Sequence, residues 1–428
     1  MSFELRIESL AFGGRGLGRH DGQAVFVPFS APGDLLRCRT VQRHKRYQQA
    51  EIVELLEASP LRVAPRCPLF GSCGGCQWQH MPYAEQLHWK QQLHAEQLRR
   101  NAGLEAPETL TTLPAEPEWE YRSRAQFKCY LGDDGLVLGF YRTGSHYVID
   151  LDNCPVCHPR INALLPALKE NLSASPDPGR IPQVDVSTGD DGGLRCVVHY
   201  IGTQAETMER HLAGFAREQG VAMLMQSGRK SSLRLLHGDP LLHVEPRMGM
   251  PLAYRAGGFA QVHLEQNRRL VELVVNVAGP NKGRVLDLYC GMGNFTLPLA
   301  MHGRRVTGIE SYAPSIEQAR ENAARHAIGN VQFEVADGAA GLARVWGKEG
   351  FSCVVLDPPR NGAREACLAL ARLKPVRIVY VSCDSSTLAR DLKVLLQHGY
   401  RLQSSQPIDM FPHTAHIESV TILTLPGI

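Results

Sequence analysis

Cys383 closes an apolar run, Arg377-Ile378-Val379-Tyr380-Val381-Ser382, and Asp384 follows it. Ile, Val and Tyr ending in a small polar residue predict a buried strand. Such a strand would deliver the thiol to the C-terminal edge of a parallel sheet, where ligands bind in open α/β folds. Near the other end of the chain, His416-Ile417-Glu418-Ser419-Val420-Thr421-Ile422 predicts a strand with Glu418 at its start. A thiol and a carboxylate are the minimum kit for a reaction in which a thiolate adds to a substrate and a base later removes a proton so that the thiol can leave. Taken singly, Cys383 also reads as a satisfied buried thiol and Glu418 as a solvated strand end. The surrounding elements decide between these readings.

Those elements describe a methyl-donor site. Residues 284–294, Arg-Val-Leu-Asp-Leu-Tyr-Cys-Gly-Met-Gly-Asn, read as a buried strand turning through a glycine loop into a helix; glycine lets the backbone approach a ligand closely. The next strand, Val306-Thr307-Gly308-Ile309, ends in Glu310, a carboxylate placed to accept both ribose hydroxyls. Asp337, after the apolar residues 331–335, is placed to meet an adenine amino group. One Gly-x-Gly without a third glycine suits S-adenosylmethionine, which has no pyrophosphate, better than a dinucleotide. Residues 353–356 then deliver Asp357-Pro358-Pro359-Arg360, whose prolines stiffen the backbone beside the transferred methyl. Related motifs that act on exocyclic amines carry an aromatic residue where Arg360 stands, which argues against a stacked adenine.

A thiol beside a methyl donor points to a carbon that is not nucleophilic unaided. Carbon 5 of uracil is such a carbon. Thiolate addition at carbon 6 gives an enolate whose carbon 5 attacks the methyl, and a base must then take the carbon 5 proton. Cys383 and Glu418 fill these two roles, while Asp384 orients the loop or binds the base edge.

The remaining motif is a cysteine cluster. Cys67-x5-Cys73-x2-Cys76 lies in a loop with Pro68, Gly71, Gly74 and Gly75, and a distant Cys154-Pro155 follows, with Cys157 close behind. Thiolates in a glycine-rich loop, with a remote Cys-Pro, predict a four-iron cluster on Cys67, Cys73, Cys76 and Cys154. Structural zinc is the rival, with Cys154-x2-Cys157 as its second hairpin; uncoordinated buried thiols are the bland reading.

The chain has 428 residues, of which 43% are hydrophobic, enough for two or three cores. Its formal charge of +3 announces no whole-protein field, so any basic footprint must be local. Twelve cysteines in a long chain without a signal-like or membrane-spanning segment predict a cytoplasmic protein whose clustered thiols serve metal or catalysis. The organisation expected is an OB-like β-barrel at 1–58, a central α+β domain at 59–258 carrying the cysteine loop and an RNA-contacting region, and an α/β Rossmann-like catalytic domain at 259–428. In the barrel, Arg37, Arg39, Arg43, Lys45 and Arg46 fall within ten residues that contain no acid, a segment that either grips RNA or is a solvated edge strand. A helix is expected over 83–101, with Gly103 beyond it.

Taken together these motifs resemble the RNA uracil-5-methyltransferase family over nearly the whole chain, and its ribosomal RNA branch in particular. The resemblance is carried by the barrel, the Cys67/Cys73/Cys76/Cys154 set, Tyr121-Arg122-Ser123-Arg124, Phe259-Ala260-Gln261, Asp357-Pro358-Pro359-Arg360, Ser382-Cys383-Asp384 and His416-Ile417-Glu418. It implies S-adenosylmethionine binding by Gln261, Tyr289, Asn294, Glu310, Asp337 and Asp357, with Cys383 as nucleophile and Glu418 as base. It also implies Arg124 near the RNA, and Cys157 outside the cluster. Ser385 stands where the family usually has Pro, and His263 where it usually has Asn. Because the transfer-RNA branch typically lacks barrel and cluster, the expected substrate is 23S rRNA, and the expected assembly is a monomer. The rival readings are the same chemistry on tRNA, a redox or radical iron–sulfur enzyme, and an inactive RNA-binding scaffold.

Overall fold

The computed structural model describes residues 2–133, 135–228, 232–279, 283–347 and 350–426. The C-terminal part is built on a seven-stranded sheet. Its order is Val331–Val335, Arg305–Glu310, Arg284–Leu288, Cys353–Leu356, Arg377–Ser382, Glu418–Thr424, Arg401–Ile408. The first five strands are parallel, and Glu418–Thr424 alone is reversed, pairing antiparallel with both of its neighbours. Helices on both faces bury the central strands completely, which is why these read as continuous apolar runs instead of alternating ones. Strand order reverses between Arg284–Leu288 and Cys353–Leu356, opening the crevice where ligands settle in doubly wound sheets.

The N-terminal strands Ser2–Arg6, Ser9–Leu10, Gly16–His20, Gln23–Val27, Leu35–Arg43 and Tyr47–Glu57 form one sheet around Leu5, Ile7, Val25, Val27, Leu36 and Cys38. The central sheet has seven strands, among them Arg124–Gly132, Gly135–Tyr141 and Leu194–His199. Helices Pro159–Ser173 and Ala205–Gln219 bury their apolar faces against it.

One helix joins these units. Tyr83–Gln97 runs on through a single π turn, Leu98–Ala102, and ends at Gly103 in the left-handed conformation, φ 77°. Leu98 and Ala102 belong to the core of the C-terminal sheet. Beyond them, Thr109 and Leu113 bridge in parallel to Ser405 and Ile408. Residues 83–113 therefore lie against the catalytic sheet. A small core of Leu10, Ala31, Trp78, Met81, Leu93 and Ile417 seals barrel, helix and C-terminal loop together.

Within that joint Lys90 and Asp409 form an ion pair at 2.5 Å, both side chains 0% exposed, and Lys90 also donates to the Phe411 carbonyl at 3.0 Å. Burial pulls the Lys90 ammonium below its usual range, and the Asp409 carboxylate opposes this. Removing one partner of such a pair leaves a buried uncompensated charge. Lys90→Met is expected to lower the unfolding free energy by about 3–5 kcal/mol, and the double variant Lys90→Met/Asp409→Leu to recover most of it. Urea unfolding of both variants measures this; equal losses in the two would contradict it.

Candidate active site

Strand register brings the two sequence-predicted catalytic groups together. Glu418–Thr424 runs antiparallel to Arg377–Ser382 with Ser382 opposite Ser419. The start of one strand therefore meets the end of the other, and Glu418 stands beside Cys383 at the C-terminal edge of the parallel strands. Cys383 is half-buried and Glu418 buried, with Glu418 Oε1 lacking any hydrogen-bond partner. Burial pushes the Cys383 thiol up to about 12, the nearby Glu418 and Asp357 adding to the rise and Arg360 opposing it. Burial likewise holds Glu418 well above the ordinary carboxylate range, with Asp357 adding and Arg360 again opposing. Asp357 is raised to about 7 by burial and by Asp287.

The loop after Cys383 is held by its neighbours. Asp384 caps helix Ser385–Gln397, accepting from the backbone amides of Ser386 and Thr387 at 2.9 Å each. It thereby fixes the loop that follows Cys383 and sets Cys383 just ahead of a helix N-terminus. Ser385 bonds His94 Nδ1 at 2.7 Å, His94 Nε2 bonds Ser405 at 2.7 Å, and Ser405 bonds Thr421 at 2.7 Å. Burial lowers His94 to about 4, so the ring is neutral and donates from one nitrogen only. The hydroxyl at Ser385 thus ties the loop after Cys383 to the strand that carries Glu418. His263 is equally well used. Its Nδ1 caps helix Leu264–Val277 through the Gln266 amide at 3.3 Å, Nε2 meets the Pro117 carbonyl at 3.0 Å, and the ring stacks on Tyr121 at 4.7 Å.

Of the donor-binding residues expected from sequence, Tyr289, Glu310, Asp337 and Asp357 stand at or just beyond the C-terminal ends of the parallel strands. Tyr289 follows its strand at φ +66°, an uncommon conformation for a non-glycine residue, and a Cβ at Gly338 would meet its ring, so it packs beside the Asp337–Gly338 turn. Asp337 caps helix Gly338–Val345 through the Ala339 amide at 3.2 Å. Glu310 accepts from the Tyr312 amide at 2.8 Å and from Ser311 at 3.1 Å. Asn294 exchanges side-chain amide bonds with Asn267 at 2.9 and 3.0 Å. Gln261 is buried where residues 262 and 263 pair with Ser123 and Arg122. Sequence reasoning passed over Asp287, buried, raised to about 7 by burial and bonded by Thr296 at 2.5 Å. A lone Asp inside the apolar run Val285-Leu286-Asp287-Leu288 was the available signal.

Cys67, Cys73, Cys76 and Cys154 converge electrostatically. Burial raises the first three thiols, Cys76 to about 12, and Cys154 adds to each. Cys154 is lowered to about 6, chiefly by its hydrogen bond with Cys157, which is raised in turn. The Arg122 guanidinium faces this group, and its Nε has no partner. Among the described residues no set of three or more His, Cys, Asp or Glu side chains is arranged to hold a metal ion.

The expected RNA contacts are more dispersed. Arg37 pairs with Glu54 and Glu4, and Arg39 with Glu51, whereas Arg43, Lys45 and Arg46 are exposed without an ion-pair partner among the described residues. Arg124 lies in a separate hollow of about 270 Å³ on the central sheet, 3.4 Å from Asp185 and across from Phe259.

Sheet order and the polar edge define a class I methyltransferase fold joined to an N-terminal β-barrel. Two family profiles match: "tRNA (Uracil-5-)-methyltransferase" over residues 82–425, and "tRNA (uracil(54)-C(5))-methyltransferase, TRAM domain" over residues 3–61. Among curated relatives, the Alkalilimnicola ehrlichii protein named "23S rRNA (uracil(1939)-C(5))-methyltransferase RlmD" is 40% identical, covering 98% of this chain and 96% of its own. The Nitrosococcus oceani protein of the same name is 38% identical over 97% and 94%. A crystal structure of Pyrococcus abyssi tRNA (uracil-54, C5)-methyltransferase with S-adenosyl-L-homocysteine superposes with a TM-score of 0.75 at 27% identity, covering 99% of this chain and 100% of that one. The chain belongs to the RNA uracil-5-methyltransferase family. That neighbour also corrects one step of the sequence argument: a barrel of this kind occurs with a tRNA substrate too, so it does not by itself select ribosomal RNA.

A thiol raised to about 12 is protonated at neutral pH. Iodoacetamide alkylation of Cys383 is expected to accelerate with pH through about pH 10 without levelling, whereas an ordinary thiol levels above about pH 9. Arg360→Gln removes the cation that opposes the rise and slows alkylation at a given pH. Peptide mass spectrometry follows both, and a plateau near neutrality would contradict the assignment.

Proposed function

We propose that this protein transfers a methyl group from S-adenosylmethionine to carbon 5 of a uridine in 23S rRNA, through a covalent bond between Cys383 and carbon 6. The observation that carries this reading is the Ser382–Ser419 register, which sets a thiol and a high-proton-affinity carboxylate side by side at the edge of a methyl-donor sheet. The names of the full-length relatives favour the ribosomal substrate; the tRNA-named neighbour of similar architecture keeps tRNA as the second reading.

In this reading, residues 1–58 and 59–258 hold RNA, and 259–428 with the packed segment 83–113 form the catalytic body. Glu310 and Asp337 orient the ribose and adenine, Asp357 lies near the reacting centre, and Gln261, Tyr289 and Asn294 complete the pocket. The donor supplies a methyl electrophile on a positively charged sulfur. The target base leaves its stack to reach Cys383. The Cys383 proton passes to water in the open cleft, and Arg360 and the N-terminus of helix Ser385–Gln397 favour the thiolate as it forms. The thiolate adds to carbon 6, the resulting enolate uses carbon 5 to take the methyl, and Glu418 then accepts the carbon 5 proton. The electrons of that bond restore the ring and expel the thiolate.

Cys67, Cys73, Cys76 and Cys154 complete the reading as ligands of a four-iron cluster. Their support is the sequence spacing of four thiols beside a buried arginine; the described side chains are not themselves arranged around a metal ion. With four protein ligands such a group would fold the loop and shape the RNA site. Cys73→Ala is expected to abolish bound iron and visible absorbance in the purified protein; full retention of iron would remove the cluster from the account.

Labelled methyl from S-adenosylmethionine is expected in 5-methyluridine of unmodified 23S rRNA. Label in tRNA alone would overturn the substrate and leave the chemistry. Glu418→Gln is expected to stall after methylation as a denaturation-resistant protein–RNA adduct, and ordinary product release would assign the base elsewhere.

A further inference from the structure

The cavity at Cys383 is shared between domains. A cavity of about 420 Å³ has Cys383, Asp384 and His416 at its catalytic end and Phe12, Arg15 and Phe29 of the barrel at the other. That volume lies within the range of about 300–1,000 Å³ typical of pockets for whole small ligands, so it exceeds a slot for the reacting atoms alone.

The barrel end of this cavity is held in place. The turn at residues 11–15 closes on itself through the Ala11 and Arg15 backbones at 2.8 Å. Its Gly14 carbonyl accepts from the indole of buried Trp78 at 3.0 Å. A Cβ at Gly14 would collide with Ala415, two residues ahead of Ile417 and the strand that opens on Glu418. Gly13 and Gly14 have φ of 89° and 86°, conformations that only glycine adopts freely. Phe29 is a second strained position, with φ of 60°. Arg62 bonds its carbonyl at 3.0 Å, and its ring meets Phe70 edge-on at 5.3 Å. On this clamped wall Phe12 remains 38% exposed, and Arg15 is an exposed cation with no ion-pair partner among the described residues. An open aromatic face beside a free guanidinium is the pairing that takes one nucleotide, base on the ring and phosphate on the cation.

We propose that Phe12 and Arg15 form a nucleotide subsite of the catalytic cleft, in which the base adjoining the target uridine stacks on Phe12 while its phosphate meets Arg15. The barrel then acts as a wall of the active site as well as a remote RNA handle. This inference rests on the RNA methyltransferase reading above.

The test uses the full-length protein and a short single-stranded RNA carrying the target uridine, with variants abasic at the 5′ or the 3′ neighbour. Phe12→Ala is expected to raise KM for the parent RNA and lower kcat/KM by about 10- to 100-fold with kcat kept, the effect of losing one base–aromatic stack. Phe12→Trp is expected to restore it. For wild type one of the two abasic RNAs should show a comparable loss, and Phe12→Ala should be indifferent to that same change. Arg15→Gln should reduce the slope of log affinity against log salt by about one. Unchanged KM in Phe12→Ala, or equal sensitivity of wild type and Phe12→Ala to both abasic RNAs, overturns the subsite and leaves the methyltransferase reading standing. A wild-type protein that methylates no RNA overturns that reading, and the subsite with it.

Discussion

The antiparallel pairing of Glu418–Thr424 with Arg377–Ser382 is the constraint on which the site depends. In a wholly parallel sheet the start of a strand lies at the opposite edge from the ends of its neighbours, and a residue at the start could not reach Cys383. Reversing one strand places Glu418 where the parallel strands deliver their functional side chains. Much of the surrounding structure holds this register. The hydrogen-bonded chain from Ser385 through His94 and Ser405 to Thr421 ties the loop after Cys383 to the strand that opens on Glu418. The Lys90–Asp409 pair anchors the loop leading into that strand to a helix from the central region, and Trp78 clamps the barrel turn against the same loop.

The electrostatics follow from that packing. Asp287, Asp357 and Glu418 are all raised, burial being the first cause for each, and Arg360 is the cation that opposes the rise at Glu418 and Cys383. A site of buried carboxyls short of positive charge is matched to a cationic donor.

Much of this was legible from residue order. Apolar runs ending at Glu310, Asp357 and Cys383 gave the strands, because buried parallel strands carry an unbroken signal and leave their terminal polar residue at the C-terminal edge. Sequence spacing also grouped three cysteines in one loop and singled out a remote fourth. What escaped was long-range. His94 lies within an apparently ordinary helix, and only tertiary packing sets it between Ser385 and Ser405. Nothing local shows that Gly14 of the barrel turn is required by its contact with Ala415, near the opposite end of the chain. Charge counting overstated the segment at 37–46, because strand register sets Arg37 and Arg39 against Glu54 and Glu51. His263 and Ser385, departures from the family pattern, proved to be a helix cap and a buried hydrogen-bond partner.

The account stands or falls on covalent attack by Cys383, and a mechanism-trapping substrate tests that most directly. RNA with 5-fluorouridine at the target position has no carbon 5 proton for Glu418 to remove, so a methylated adduct cannot decay. The account predicts a donor-dependent protein–RNA adduct that survives denaturation, with nucleotide mass on the peptide containing Cys383. Methylation of ordinary RNA without any such adduct, or an adduct on another residue, would contradict it.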